Sequence, residues 1–162
     1  MSTVEEGRSG ADAVHRVALG SDHRGYEGKE VIKLYLQTLG YHVADVGAFS
    51  KDSVDYPDIA VKVARKVASG DCERGIVVDN SGVASAMACN KVKGIRAAPC
   101  HDPRTVVASR EHCNANVLTL AGPFHSGDQL CELARLWLET RFAGGRHWSR
   151  VNKLMSIERG GI

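Results

Sequence analysis

Acid, imidazole and small polar residues follow two apolar runs of the sequence. Asp22 and His23 stand side by side after the short run Arg16–Gly20. An acid and an imidazole at the carboxyl end of a buried strand suit general acid–base chemistry. A loop with a helix-capping aspartate would have the same sequence, so the residues alone leave both interpretations open.

A second polar segment follows the β-branched run Gly75–Val78 and consists of Asp79-Asn80-Ser81-Gly82-Val83-Ala84-Ser85. Small residues let backbone N–H groups face a ligand, and the helix that follows adds the positive end of its dipole. Such a loop can hold an enediolate oxygen or a phosphate, with Asp79 as a candidate proton-transfer carboxylate. A plain Asp/Asn turn that leads into a helix is the alternative.

Basic residues and one histidine suggest an anion site. Arg146 and Arg150 are four residues apart, so they share one helix face, where a phosphate between them would relieve their repulsion. A pair of solvated surface arginines fits that spacing equally well. Arg104 opens a predicted helix and His112 ends it; either contacts a ligand or is an ordinary surface residue.

The scaffold predicted for these residues is an α/β fold. Short apolar runs alternate with amphipathic segments, which predicts a three-layer αβα sandwich around a five-stranded parallel Rossmann-like sheet. Ligands of such sheets bind beyond the carboxyl ends of the strands. The predicted strands are 16–20, 41–47, 75–78, 95–99 and 116–121. The predicted helices are 25–39, 57–70, 83–91, 103–111, one from about 126 to 143, and 146–158.

Length and composition set limits on the domain organisation and the partners. The 162 residues predict a single domain over residues 15–162, preceded by a poorly ordered polar tail over residues 1–14. The formal net charge of +2 and the scattered basic residues argue against nucleic acid. No apolar stretch approaches the about 20 residues that span a membrane, and the first residues lack the apolar core of a secretory signal.

Neither a cofactor nor a metal is predicted. The five cysteines are an odd number without Cys-x-x-Cys spacing, which argues against disulfides and favours the reducing cytoplasm. The histidines lack the helical spacing of metal ligands. Tyr26 follows Gly25 where a P-loop needs lysine, and no Gly-x-Gly-x-x-Gly motif follows the first strand.

Taken in order, the segments resemble the family of type B ribose-5-phosphate isomerases and galactose-6-phosphate isomerases. The resemblance extends from Arg16 to Glu158, nearly the whole chain. The motifs that carry it are Gly20-Ser21-Asp22-His23, Asp55-Tyr56-Pro57, residues 90–98, Ser109-Arg110-Glu111-His112 with Asn116-Val117, and Gly144-Gly145-Arg146-His147 with Arg150.

The resemblance implies an aldose–ketose isomerase that works without metal on a small phosphorylated sugar, through a cis-enediol. His112, with Asp22 and His23 nearby, would help to open the sugar ring. The other implied catalytic residues are Asp79 and Ser81, and the implied substrate-binding residues are Asp22, His23, Tyr56, Asn80, Gly82, Val83, Ala84, Ser85 and Asn116. The implied phosphate-binding residues are Arg104, Arg146 and Arg150.

The resemblance also implies an oligomer. In the family, the C-terminal arginines on the last helix reach the site of a partner subunit. The expected assembly is therefore a homodimer, or a tetramer made of two such dimers, with the site at the subunit interface.

Several positions depart from the family pattern. Asp79 replaces the usual cysteine base, and Ser85 stands where other members have a glutamate. Cys113 replaces a common asparagine, and Pro123 lies near a common arginine. The leading hypothesis is an active isomerase with Asp79 as the base.

Two alternatives stay open. The Asp79 loop, with Asp102 and Arg104, is similar to the A-type subunit of galactose-6-phosphate isomerase. This similarity allows a catalytically weak subunit of a hetero-oligomer. A nucleotide- or metabolite-binding module without catalysis is the other alternative.

Overall fold

A five-stranded parallel sheet forms the middle layer of the computed structural model, which describes residues 13–162. Residues 1–12, and with them most of the predicted tail, lie outside that range. The strand order is β2-β1-β3-β5-β4, and every neighbouring pair is parallel. The strands are β1 (Arg16–Ser21), β2 (His42–Asp45), β3 (Arg74–Asp79), β4 (Ala97–Pro99) and β5 (Val117–Ala121).

Six α-helices of the described residues flank the sheet, and local capping explains where several begin. They are α1 (Tyr26–Thr38), α2 (Tyr56–Ala68), α3 (Val83–Asn90), α4 (Pro103–Glu111), α5 (Gly127–Glu139) and α6 (His147–Ser156). Asp102 accepts the Thr105 amide ahead of α4, and Ser126 forms a capping box with Gln129 ahead of α5. None of these helices is both long and apolar enough to cross a membrane.

Two apolar cores, one on each side of the sheet, confirm the predicted three-layer sandwich. Leu19 of β1 and Trp137 of α5 belong to the core that α1, α4 and α5 cover. Ala18, the neighbour of Leu19, faces the opposite core together with Val63 of α2 and Cys89 of α3. Successive strand residues point to opposite faces, so the buried runs of the sequence supply both cores.

The order of elements fixes two ends of the molecule. Each helix that follows a parallel strand starts at the carboxyl edge of the sheet and runs back to the amino edge. The chain leaving α5 stays at the amino edge, where the Ala143 amide donates to the Glu111 carbonyl at 3.1 Å. Glu158, just after α6, accepts the Gly94 amide at 2.8 Å, so α6 also lies at this edge.

Candidate active site

The first candidate group lies where β1 and β3 end. Ser21 pairs with Val78 in the parallel register, so Asp22 and Asp79 follow at neighbouring strand ends. Only 7% of Asp22 and 2% of Asp79 is exposed. Gly25 permits this proximity, because a Cβ there would lie 2.0 Å from the Val78 carbonyl oxygen. Both acids therefore lie at the carboxyl edge of the sheet.

Asp79 accepts three hydrogen bonds from the loop that it starts. The Gly82 amide donates to Oδ1, and Ser85 donates to Oδ2 through its amide at 3.1 Å and through its hydroxyl at 2.6 Å. Thr119 of β5 secures the same loop by donating to the Gly82 carbonyl at 2.5 Å. Gly82 has a φ of +77°, which favours glycine at that turn. The carboxylate of Asp79 thus organises the loop and the first turn of α3.

Asp22 has a different environment. Its Oδ1 accepts the amides of Arg24 and Gly25, each at 2.9 Å, and Oδ2 has no hydrogen-bond partner among residues 13–162. Burial raises the pKa of Asp22, and the negative charge of Asp79 raises it further. The two amides and His23 act against this shift without cancelling it. Asp22 is therefore a carboxyl group that holds its proton to a higher pH than an ordinary aspartate.

His23 connects the Asp22 turn with the segment ahead of α2. Its Nδ1 lies 3.3 Å from both the carbonyl oxygen and the amide nitrogen of Val54. Tyr56, the first residue of α2, is 38% exposed. A groove of about 320 Å³ opens beside this turn, and it is lined by His23, Arg24, Glu27, Lys51 and Pro123. This groove thus adjoins the turn that carries Asp22.

The remaining predicted residues of the loop after β3 differ in access. Asn80 and Val83 are exposed, whereas Ser81 and Ala84 are half-buried. The Val83 amide donates to the Ser81 hydroxyl oxygen at 3.3 Å. Direct contact of these residues with substrate stays a prediction.

A second candidate group combines two imidazoles with two guanidinium groups. His112 stacks on His147 with a centroid separation of 4.7 Å and an interplanar angle of 18°. Desolvation lowers the pKa of His147, and the positive charges of His112, Arg146 and Arg150 lower it further. Both arginines are exposed. This cluster, which we call the basic cluster (His112, His147, Arg146 and Arg150), suits an anion such as a phosphate.

His147 is a member of this cluster that sequence reasoning assigned no role. It stands beside Arg146 and within one helical turn of Arg150, so its position in the sequence could have indicated a place in the anion site. The stacking with His112 could not be foreseen, because the two histidines belong to different helices and are brought together only by the packing of the chain after α5.

The two candidate groups lie at opposite edges of the sheet within one chain. Asp22 and Asp79 follow the carboxyl ends of their strands, whereas His112 ends α4, only five residues before β5 begins. Arg104 belongs to the first turn of α4, at the carboxyl edge, so it does not join the other two predicted phosphate ligands within the chain. One subunit therefore does not bring the basic cluster to Asp79.

Asn116 has a structural role that the sequence did not indicate. Its Oδ1 accepts the Arg96 amide at 2.8 Å, and its Nδ2 donates to the Gly94 carbonyl at 2.9 Å. These bonds hold the segment ahead of β4, at the amino edge and away from the carboxylate pair. Substrate binding by Asn116 stays a prediction that no contact of the chain supports.

The chemistry available to the first group is proton transfer next to a loop of backbone amides. The second group offers charge for an anion. Within residues 13–162, no cluster of histidine, cysteine and acidic side chains has the arrangement of a metal site. The fold and the site thus define an α/β protein with side chains suited to acid–base chemistry.

Comparison with known proteins gives the family. The model of the ribose/galactose isomerase family matches residues 17–154. Ribose-5-phosphate isomerase B of Escherichia coli (strain K12) is 38% identical over 147 residues, which cover 88% of this chain and 96% of that protein. The chain belongs to the ribose/galactose isomerase family, and it is an enzyme of the sugar-phosphate isomerase class.

Solved structures agree with this assignment. Ribose-5-phosphate isomerase B of Clostridium thermocellum has a TM-score of 0.88 at 43% identity, covering 90% of this chain and 98% of that chain. The enzyme of Mycoplasma genitalium, solved with bound ribulose-5-phosphate, has a TM-score of 0.85 at 36% identity, covering 90% and 97%. The predicted family and fold class are confirmed by these matches.

Proposed function

We propose that the chain interconverts an aldose phosphate and a ketose phosphate of the ribose 5-phosphate and ribulose 5-phosphate type, through a cis-enediol. The observation that carries this proposal is the buried carboxylate pair Asp22 and Asp79 beside the amide-rich loop after β3. The bound ribulose-5-phosphate of the Mycoplasma genitalium relative supports a pentose phosphate over the tetrose and hexose phosphates that the sequence also allowed.

In the proposed mechanism, Asp79 is the base that moves a proton between C1 and C2. A carboxylate offers roughly four acceptor sites, and the three donors of the loop leave one lone pair on Oδ1 for this task. The loop, with the Ser81 hydroxyl, stabilises the enediolate oxygen. His112 assists ring opening, and Arg146 and Arg150 bind the phosphate.

Because the basic cluster and the carboxylate pair lie at opposite edges of one chain, we propose a homodimer in which each site takes one group from each subunit. A groove of about 670 Å³ between β4 and the C-terminal segment supports a subunit contact there. Leu154 and Ile157, which line it, are 48% and 57% exposed. Pairing of two such dimers would give a tetramer.

Replacement of Asp79 tests the proposed base. We expect the purified wild-type chain to isomerise ribose 5-phosphate best among tetrose, pentose and hexose phosphates. Asp79→Asn should lower kcat by about 10²–10⁴-fold, the typical contribution of a general base. Asp71→Asn, which neutralises an exposed aspartate after α2, is the matched control and should keep wild-type kcat. Full kcat in Asp79→Asn would refute the assignment of the base.

One observation favours a second function, the catalytically weak subunit of a hetero-oligomeric galactose-6-phosphate-type isomerase. All three hydrogen bonds that Asp79 accepts come from Gly82 and Ser85 of its own loop, so a structural role would account for them. This alternative predicts negligible turnover of the purified chain on every sugar phosphate, and turnover after a second subunit is added. Robust turnover by the pure homo-oligomer excludes it.

A further inference from the structure

We propose that Asp22 is the general acid of the isomerisation, which exchanges a proton with the two substrate oxygens while Asp79 exchanges one with the two adjacent carbons. This inference rests on the proposed function and assigns a role to the second carboxyl group of the site. The two side chains belong to neighbouring strand ends, and the structure gives them opposite surroundings.

The contacts of Asp79 suit a group that accepts a proton. Three donors point at its carboxylate, and one of them is the Ser85 hydroxyl at 2.6 Å from Oδ2. An ionised carboxylate next to the reacting carbon is what proton abstraction requires.

The contacts of Asp22 suit a group that carries a proton. Both backbone donors bind Oδ1, which leaves Oδ2 without a partner in the described part of the chain. The turn is pressed against β3, since a Cβ at Gly25 would lie 3.0 Å from the Asp79 amide nitrogen. Asp22 is thus buried next to the Asp79 carboxylate, and both burial and this neighbour favour its neutral form.

Two ionisable groups of the described residues have the largest charge effects on Asp22. Asp79, from β3, opposes ionisation of Asp22, and His23, from its own turn, favours it. On the side of α3, the Cys89 thiol is buried, and burial and Asp79 raise its pKa to about 12, so it stays neutral. The field at Asp22 therefore comes mainly from Asp79 and His23.

The proposed step balances without a further reactant. Asp79 takes the proton from C2 of the open-chain aldose, the C–H electrons form the C1–C2 double bond, and the C1 carbonyl electrons take the proton of Asp22. The ionised Asp22 then accepts the proton of the C2 hydroxyl as the C2 carbonyl forms. The double-bond electrons recover the proton from Asp79 at C1, so both side chains end in their starting states.

The test compares Asp22→Asn with the wild-type enzyme on ribose 5-phosphate. Asparagine keeps an oxygen for the Arg24 and Gly25 amides, so the turn is preserved, but it cannot release a proton. We expect kcat to fall at least about 10²-fold with KM within a few-fold of wild type. The wild-type enzyme should lose activity as the pH rises and Asp22 ionises, and we expect this decline to be absent from the residual activity of the variant.

A purely structural Asp22 would give a different result. Asp22→Asn would then retain kcat, or would lose it while activity still declined with rising pH as in the wild type. Either outcome overturns the acid assignment. Asp22→Ala, which also removes the acceptor of the two amides, measures the structural part through its melting temperature. If the wild-type enzyme isomerises no sugar phosphate, the proposed function itself fails, which is distinct from an active enzyme with an unaffected Asp22→Asn.

Discussion

At the scale of single residues, the environment of a side chain decides its role. Asp22 and Asp79 have the same chemistry in isolation, and both are buried at neighbouring strand ends. Asp79 receives a hydroxyl and two amides on its two oxygens, while Asp22 receives two amides on one oxygen. The sequence could place both acids after strands, but it could not distinguish them, because their donors come from backbone geometry.

Lys29 is a buried cation that the sequence did not single out. Its side chain is fully buried, and its ammonium group donates to both carboxylate oxygens of Asp45 at 2.9 Å and to the Ala48 carbonyl at 2.5 Å. Helical periodicity places it on α1 without predicting its partner, which lies at the end of β2. This ion pair joins α1 to the chain that leaves β2.

This ion pair predicts a pH-dependent stability. Burial alone would raise the pKa of Asp45, but its hydrogen bonds from the Gly47 amide, Lys29 and Lys33 outweigh burial, so its pKa lies below the ordinary value. Its stabilisation is therefore complete above the unfolded pKa of about 4 and is lost as the pH falls through the lower folded pKa. Asp45→Asn should lower the free energy of unfolding at neutral pH and flatten its acid dependence, measured by urea titration at several pH values.

The exposed pair of Lys51 and Glu27 is the matched control for that measurement. Both side chains are more than half exposed, so water and salt screen their attraction. Glu27→Gln should leave the urea midpoint nearly unchanged at neutral pH. An acid dependence of Asp45→Asn equal to that of wild type would contradict the role given to the buried pair.

At the scale of elements, local signals predicted helices better than short strands. Helix α4 occupies Pro103–Glu111 as predicted, because Asp102 and Pro103 fix its start. Strand β4 is shorter than predicted, with Ala97–Pro99 in place of 95–99. The side chain of Asn116 forms hydrogen bonds with the Arg96 amide and the Gly94 carbonyl. Apolar patterning does not predict such a contact between distant positions.

The turn between β1 and α1 gives a prediction about close packing. A methyl group at Gly25 would lie 2.0 Å from the Val78 carbonyl oxygen, which is backbone and cannot rotate away. Gly25→Ala should therefore move the turn away from β3 and lower the free energy of unfolding by about 1–3 kcal/mol. It should also lower kcat, because the turn carries Asp22. Urea unfolding and steady-state kinetics on the same preparation measure the two effects.

Gly28→Ala, within the next turn of α1, is the control for this substitution. Its methyl group would meet the end of the Leu130 side chain at 2.8 Å, a flexible group that can move aside. Alanine also favours the helix more than glycine does. The close-packing argument fails if Gly25→Ala and Gly28→Ala have the same stability and kcat.

At the scale of the whole molecule, the sequence motifs of the site were easier to predict than the edges of the sheet at which they lie. The resemblance implied one site shared between subunits for Asp79 and the pair Arg146 and Arg150, and within one chain these residues occupy opposite edges of the sheet. The reason lies in the right-handed crossovers, since a helix after a parallel strand must end at the amino edge. In the proposed dimer, residues at helix ends, such as His112, meet those at strand ends across the subunit interface.

This separation predicts complementation between two inactive variants. Asp79→Asn disables the carboxylate pair, and the double variant Arg146→Ala with Arg150→Ala disables the basic cluster. In a dimer with shared sites, a heterodimer of the two variants has one site with both defects and one intact site. Purified through two different tags, it should show about half of the wild-type kcat per dimer, although each parent homodimer is nearly inactive.

A heterodimer of Asp79→Asn with Asp22→Asn is the decisive control, because both defects fall in the same group. Each of its two sites then has one damaged carboxylate pair, so no activity should return. Equal inactivity of both heterodimers would mean that the basic cluster does not serve the partner's carboxylates. Recovery only in the heterodimer that combines different groups would assign one catalytic site to two chains, with the sugar carbons at one subunit and the phosphate at the other.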